Sequence, residues 1–137
     1  MSSVLKRKRS ISELEFYQNA VQLRIDMTRF VMNEKNVPKR YRFIFAQPII
    51  TMLRNMINNI IAANTVYPTS ESEMETRREY QTRAIINCEQ LLQELQYMMT
   101  VLPVGADKLH TMADRLINET RLLKAWRKSN KIMIDKS

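Results

Sequence analysis

The residue types that most often perform catalysis are scarce in this chain of 137 residues. It has one histidine, His110, one cysteine, Cys88, and one glycine, Gly105. A zinc site needs several histidine or cysteine ligands, and a phosphate-binding loop needs several glycines. The glutamates within residues 71–75 are typical of the acidic first turn of a helix rather than of an acid–base pair. The sequence therefore predicts a protein that is not an enzyme and that holds no metal or cofactor.

Each of the two rare side chains also has an ordinary structural interpretation. Cys88 falls on an apolar helical stripe, where a thiol behaves as a small hydrophobic side chain. His110 falls on the first turn of a helix, where it is solvated or caps the helix. A weak alternative is that the chain is an enzyme whose site is not recognisable from the sequence. That hypothesis predicts that replacing Cys88 and His110 together abolishes an activity.

Positive charge is the strongest functional signal in the sequence. The chain carries 22 lysines and arginines against 14 acidic residues, which gives a net charge of +8. No acidic residue lies between Glu34 and Glu71, whereas that stretch has five basic residues. Residues 121–137 carry six basic residues and one acidic residue. A small basic domain of this kind is expected to bind an anionic partner.

Long helices must position these charges. With one glycine and four prolines, the chain lacks the turn residues that sandwiches and barrels require. Four amphipathic segments joined by short connections predict an all-α fold, an up-down antiparallel four-helix bundle. No apolar run reaches the roughly 18 residues of a membrane span. One cysteine can form no internal disulfide, which fits a cytoplasmic location.

The apolar spacing assigns a core-facing stripe to each helix. Helix 1 is expected to begin at a capping box formed by Ser12 and Glu15, and its stripe is Leu14, Tyr17, Val21, Ile25, Thr28 and Val31. Helix 2 spans about residues 39–66, and its stripe is Ala46, Ile49, Leu53, Met56, Ile60 and Ala63. Pro48 predicts either a kink in this helix or a separate turn leading into it, and we favour the kink.

Helices 3 and 4 follow after Pro68. Helix 3 begins at a second capping box, formed by Ser70 and Glu73, and its stripe is Arg77, Tyr80, Ala84, Cys88, Leu91, Leu95, Met98 and Leu102. Helix 4 runs from about Asp107 to the late 120s, and its stripe is Leu109, Met112, Leu116, Thr120, Leu123 and Trp126. The domain organisation is then a disordered basic arm (1–11), a bundle (12–130) and a basic tail (131–137).

The basic residues on these helices are the candidate contacts to the phosphates of a nucleic acid. They are Lys39, Arg40, Arg42, Arg77, Arg78, Arg121, Lys124, Arg127 and Lys128. An up-down bundle places the start of helix 2 at one pole and the basic tail at the other. Tyr41, Phe43 and Phe45 lie among the first cations and can stack on unpaired bases. Capping of the core is an equally good interpretation of Phe43 and Phe45.

Three sequence features together resemble a known family. They are VPKRYRF at residues 37–43 opening a long helix that ends with IIAAN at 60–64, an arginine-rich start of helix 3, and INETRLLKAWRKS at 117–129. This pattern resembles the accessory variability determinant (Avd) proteins of diversity-generating retroelements. It is also similar to the four-helix-bundle proteins encoded in ribosomal RNA intervening sequences.

The resemblance implies properties that periodicity does not show. It implies a barrel-shaped homopentamer, bacterial or phage-encoded, that binds a reverse transcriptase and its structured template-repeat and flanking RNA, with the cDNA as a further candidate ligand. The chain would then be a non-catalytic RNA-binding subunit that supports mutagenic reverse transcription, and the nine basic residues named above would contact the nucleic acid or the polymerase. The alternative is a structural interaction protein that binds an acidic protein or ribosomal RNA without a reverse transcriptase. Nuclease treatment separates the two, because a protein complex survives it.

Overall fold

The structure is a computed structural model that describes residue 11 and residues 14–103 and 105–133. All regular elements within these residues are helical. The four long helices are α1 (Glu15–Met32), α2 (Gln47–Thr65), α3 (Glu71–Val101) and α4 (Ala106–Lys128). The basic arm before residue 11, the predicted cap Ser12 and the last four residues of the tail lie outside the described residues.

Each helix packs on the next one in the chain, and α1 closes the ring of contacts against α4. The α2–α3 and α3–α4 connections are short, whereas the α1–α2 connection (33–46) is longer and carries two irregular turns; neighbouring helices run antiparallel. This arrangement confirms the four-helix bundle. The connections α1–α2 and α3–α4 lie at one end of the bundle, which we call the α1–α2 end. The α2–α3 connection lies at the other, the α2–α3 end, together with the start of α1 and the end of α4.

The predicted core faces of α2 and α4 are confirmed. All six stripe residues of α2 are buried, and so are all six of α4. Both stripes alternate by three and four residues, which keeps one face of a helix against its neighbours. On α3 the stripe is buried from Ala84 to Leu102, but Arg77 and Tyr80 are only half-buried.

The predicted face of α1 is wrong. Its core-facing residues are Phe16, Ala20, Leu23, Met27 and Phe30, together with Val31. Of the predicted stripe only Val31 is buried. The observed and the predicted sets both follow spacings of three and four residues for most of their length, but they lie on neighbouring sides of the helix. The helix begins at Glu15, after an extended Leu14 that provides no side-chain cap, and the predicted capping residue Ser12 lies outside the described residues.

Pro48 does not lie inside a continuous α-helix, so the alternative to the kink is the one observed. A 3₁₀ turn (Lys39–Tyr41) and a π-helical turn (Arg42–Ala46) lead into α2, which begins at Gln47. Pro48 therefore occupies the first turn of α2, where its missing N–H leaves no intrahelical hydrogen bond unmade.

The predicted capping box of α3 is confirmed. The Glu73 backbone N–H donates to the Ser70 hydroxyl at 3.2 Å. The Glu73 carboxylate in turn accepts from the Thr69 backbone N–H at 3.1 Å and from the Thr69 hydroxyl. These bonds satisfy donors that the start of a helix leaves open, and they fix the direction in which α3 leaves the loop.

Candidate nucleic-acid interface

The nine predicted contact residues divide between the two ends of the bundle and do not form one site. Three of them lie at the α1–α2 end, on the two irregular turns before α2: Lys39, Arg40 and Arg42. The other six lie on the parts of α3 and α4 near the α2–α3 end: Arg77, Arg78, Arg121, Lys124, Arg127 and Lys128. The two groups therefore need separate treatment.

A surface cleft of about 570 Å³ lies at the α1–α2 end, and we call it the Phe43 cleft. Apolar and small side chains contributed by α1, the π turn and α2 form most of its lining: Met32, Phe43, Ala46, Ile50 and Thr51. Lys39, Arg42 and Arg54 also line it. The cleft thus combines an apolar surface with three cations, and Arg54, which the residue-by-residue prediction omitted, belongs to it.

The structure separates the roles of the three aromatic residues before α2. The Phe45 ring is buried and lies between two other rings, 6.1 Å from Tyr41 and 5.4 Å from Tyr97. Phe45 is thus a core cap. The Phe43 side chain is 81% exposed, more than any other large apolar side chain among the described residues. Only Phe43 therefore offers an open ring face to a ligand.

The basic side chains at the α1–α2 end differ in whether they already form contacts within the chain. Arg42 forms a long ion pair with Glu34, at 3.4 Å, and its Nε is buried without a hydrogen-bond partner. The Arg40 guanidinium lies 5.0 Å from the centre of the Tyr41 ring. Lys39 and Arg54 are exposed and belong to no ion pair among the described residues. These two are the charges most available to a partner.

At the α2–α3 end, Arg77 serves the fold. It donates to the backbone carbonyl of Val66 at 3.2 Å, and its guanidinium lies 5.4 Å from the centre of the Trp126 ring. Burial lowers the pKa of Arg77. Trp126 also stacks on Phe16, with the ring centres 4.2 Å apart. Arg77 thus ties α2, α3 and α4 together rather than facing a partner.

The remaining cations of this end lie nearer the surface. Arg127 donates to the Thr82 hydroxyl at 3.0 Å and is half-buried. Arg121 donates to Asn118 at 2.8 Å but stays exposed. Arg78, Lys124 and Lys128 are exposed as well. Four of the six predicted residues at this end can therefore meet a partner.

Two buried polar residues at core-facing positions were missed by the sequence prediction. Gln81 exchanges two hydrogen bonds with Asn130, at 3.1 and 2.6 Å, so its amide is satisfied. Glu119 is fully buried, and neither carboxylate oxygen has a hydrogen-bond partner among the described residues. Burial, with the negative charge of Glu15 adding to it, raises the pKa of Glu119 to about 8. Gln81 and Glu119 each lie three or four residues from apolar core residues, and this spacing was the sequence signal that could have identified them as buried.

The rare side chains take the places that the sequence indicated. Cys88 is buried and its thiol donates to the Met56 sulfur at 3.4 Å. Burial first, and then the charge of Glu119, raise the pKa of this thiol to about 12. His110 is exposed. Within the described parts of the chain, no three or more histidine, cysteine or acidic side chains lie where they could hold a metal ion.

The asparagines of α2 form a polar surface with α3. Asn59 donates to Asn87 at 2.8 Å, and Asn87 donates to Gln90 at 3.4 Å. Asn55 and Asn58 line the same shallow depression. The hydrogen bond between Asn59 and Asn87 therefore joins α2 to α3 within one chain.

Comparisons of this chain with protein-family models, with curated proteins and with solved structures find no match. Of the helices that the structure describes, none combines the length and the apolar character needed to cross a bilayer.

Proposed function

We propose that this protein is a non-catalytic accessory subunit that binds a reverse transcriptase and its template RNA. In this proposal it supports mutagenic reverse transcription in a diversity-generating retroelement, as its resemblance to the Avd proteins implies. The single observation that carries the RNA-binding part is the Phe43 cleft, which is lined by three cations and by an exposed aromatic ring. Cations bind phosphates and release counterions, and the ring adds a surface for bases.

The proposal includes assembly into a homopentamer. Several apolar side chains on helices are left exposed in the single chain, among them Ile86 on α3 and Ile117 on α4. Exposed apolar side chains of this kind favour contacts between protein surfaces. A ring would also multiply the charge of +8 per chain, which strengthens the attraction of RNA. Light scattering at high salt gives the number of subunits, and a monomer would contradict this part.

Salt dependence tests the RNA-binding part. The association constant for a labelled RNA should fall steeply with salt, because several phosphates are contacted at once. In a plot of the logarithm of the association constant against the logarithm of the salt concentration, replacing Arg54 with glutamine should make the negative slope shallower by about 0.7 for a single-stranded probe. The control is Arg83→Gln, which removes the same charge from an arginine already paired with Glu79 at 2.6 Å on α3. A binding curve that is flat between low and physiological salt would refute RNA binding.

Co-expression with a reverse transcriptase, sought among the neighbouring genes, tests the other partner. We expect the two proteins to co-purify after nuclease treatment at moderate salt, because the proposal includes a direct protein contact. Loss of the complex on nuclease treatment would show that RNA alone bridges them. An acidic protein captured in place of the reverse transcriptase would favour the simple interaction protein instead.

A further inference from the structure

The lining of the Phe43 cleft is suited to a particular form of nucleic acid. Phe43 projects from the π turn with its ring 81% exposed, while its neighbours in the same turn, Phe45 and Ala46, are buried. The cleft below it is mostly apolar, and its three cations come from different turns: Lys39, Arg42 and Arg54. An apolar surface beside cations fits a ligand with both a flat apolar face and negative charge.

We infer that the Phe43 cleft binds an unpaired stretch of nucleic acid, with one base stacked on the Phe43 ring and the adjoining phosphates contacted by Lys39, Arg42 and Arg54. This inference rests on the proposed function and specifies how RNA is held there. Stacking on an aromatic side chain tolerates any base, because every base has a flat face. The site is therefore indifferent to sequence and selective for single strands.

A double helix does not use this geometry. Its bases are stacked on one another, so it presents mainly phosphates and sugars to a protein surface. A duplex would engage the cations and leave the apolar lining of the cleft and the Phe43 ring in contact with water. The exposed ring accordingly favours an unpaired segment over a duplex.

An acidic peptide is the competing ligand, because carboxylates would also pair with the three cations. Glu34 already shows this contact, since its carboxylate lies 3.4 Å from Arg42. A peptide would gain only general apolar contact from the ring, however, whereas a base gains face-to-face stacking. Stacking depends on a flat ring, and this difference makes the two ligands separable by substitution at residue 43.

The test compares affinities of the full chain for two labelled RNA probes at one low salt concentration. One probe is an oligouridine of about ten nucleotides, which is within the range that single-strand sites cover. The other is a blunt duplex of the same length. Phe43→Leu keeps an apolar side chain but removes the flat face, and Phe43→Trp keeps the face. Because residue 43 is exposed, urea unfolding should show equal stability for all three proteins.

We expect Phe43→Leu to bind the oligouridine at least about fivefold more weakly than the wild type, and Phe43→Trp to bind it as well or better. Binding of the duplex should not change with residue 43, whereas Arg54→Gln should weaken both probes. Equal oligouridine binding by the wild type and Phe43→Leu would overturn the inference and leave RNA binding intact. No binding of either probe by the wild type would instead refute the proposed function.

A third arm addresses the peptide. A helical peptide of alternating leucine and glutamate blocks is added as a competitor. If it displaces the oligouridine and Phe43→Leu binds both the peptide and the oligouridine as well as the wild type does, the cleft is a peptide site and the inference is wrong. If Phe43→Leu affects the oligouridine alone, the inference is supported.

Discussion

Glu119 gives the most quantitative prediction, because it is a buried carboxyl group. Its side chain is fully buried on α4, and neither oxygen accepts a hydrogen bond from any residue that the structure describes. Burial raises its pKa from 4.5 to about 8. In the unfolded chain the same carboxyl group ionises near its ordinary value, so folding binds a proton at neutral pH.

The size of the effect follows from this difference in pKa. One pKa unit corresponds to about 1.4 kcal/mol. Ionising Glu119 in the folded protein therefore removes about 5 kcal/mol of unfolding free energy once the pH is well above 8. At pH 7 the folded carboxyl is mostly protonated while the unfolded one is ionised, and the loss is about 3 kcal/mol. Since small domains have about 5–15 kcal/mol in total, this group has a large influence.

The sign of the pH dependence is also fixed. The folded pKa lies above the unfolded one, so the contribution of Glu119 is most favourable below about pH 4.5. It is lost as the pH rises from there to about 8 and is constant above that. Glu119→Gln cannot ionise, so its advantage over the wild type should grow through this range, to about 3 kcal/mol at pH 7.

Urea unfolding at several pH values measures this difference. Trp126 is the only tryptophan and stacks on Phe16, so its fluorescence reports the folded core. The control is Glu75→Gln, which removes an exposed carboxyl group from α3 and should follow the wild type. If Glu119→Gln and the wild type lose stability in parallel between about pH 5 and 8, the reasoning from burial is wrong.

Two further predictions concern side chains that the fold encloses. Cys88 should not react with a thiol-specific reagent in the folded protein, because the thiol is buried and its pKa is raised to about 12, and it should react fully in urea; fast reaction of the native protein would contradict this. Arg77→Lys should lower the unfolding free energy by about 1 kcal/mol, because lysine cannot both bond the Val66 carbonyl and cover the Trp126 ring. Arg78→Lys on the exposed neighbouring residue is its control, and equal stability of the two variants would show that these contacts contribute nothing.

The sequence predicted the four helices and the buried sides of α2 and α4, but not the buried side of α1. The stripe on α2 was correct because that helix has one apolar face, from Ala46 to Ala63. On α1, apolar residues also occupy a neighbouring side, and Tyr17 and Val21 pack partly against the core. Spacing alone does not choose between two overlapping stripes. The choice depends on how deeply α1 sits between α2 and α4.

Residue type, and not spacing, kept Glu119 out of the prediction. Glu119 and Thr120 both lie three or four residues from Leu116 and Leu123, and both are buried. The prediction named only Thr120, because glutamate is rarely buried without a partner. Gln81 was missed for the same reason. Its burial depends on Asn130, a residue 49 positions away, and such a pairing is not visible in local spacing.

The candidate site was predictable as a set of charges but not as a geometry. The run from Lys39 to Phe45 contains both cations and rings, and the sequence left open which rings cap the core. The π turn decides this, because it sends Phe45 inward and Phe43 outward. Pro48 cannot donate a backbone hydrogen bond, which favours an interruption of the helix before it. The conformation of the turn, however, depends on how the whole end of the bundle packs.

The two ends of the bundle should therefore respond differently to loss of charge, although the sequence treats them alike. At the α2–α3 end, Arg77 and Arg127 donate hydrogen bonds to Val66 and Thr82, so their replacement acts first on folding. At the α1–α2 end, Lys39 and Arg54 have no ion-pair partner among the described residues, so their replacement acts first on binding. Net charge alone does not distinguish these cases. A cation is available to RNA only where the fold has not already used it.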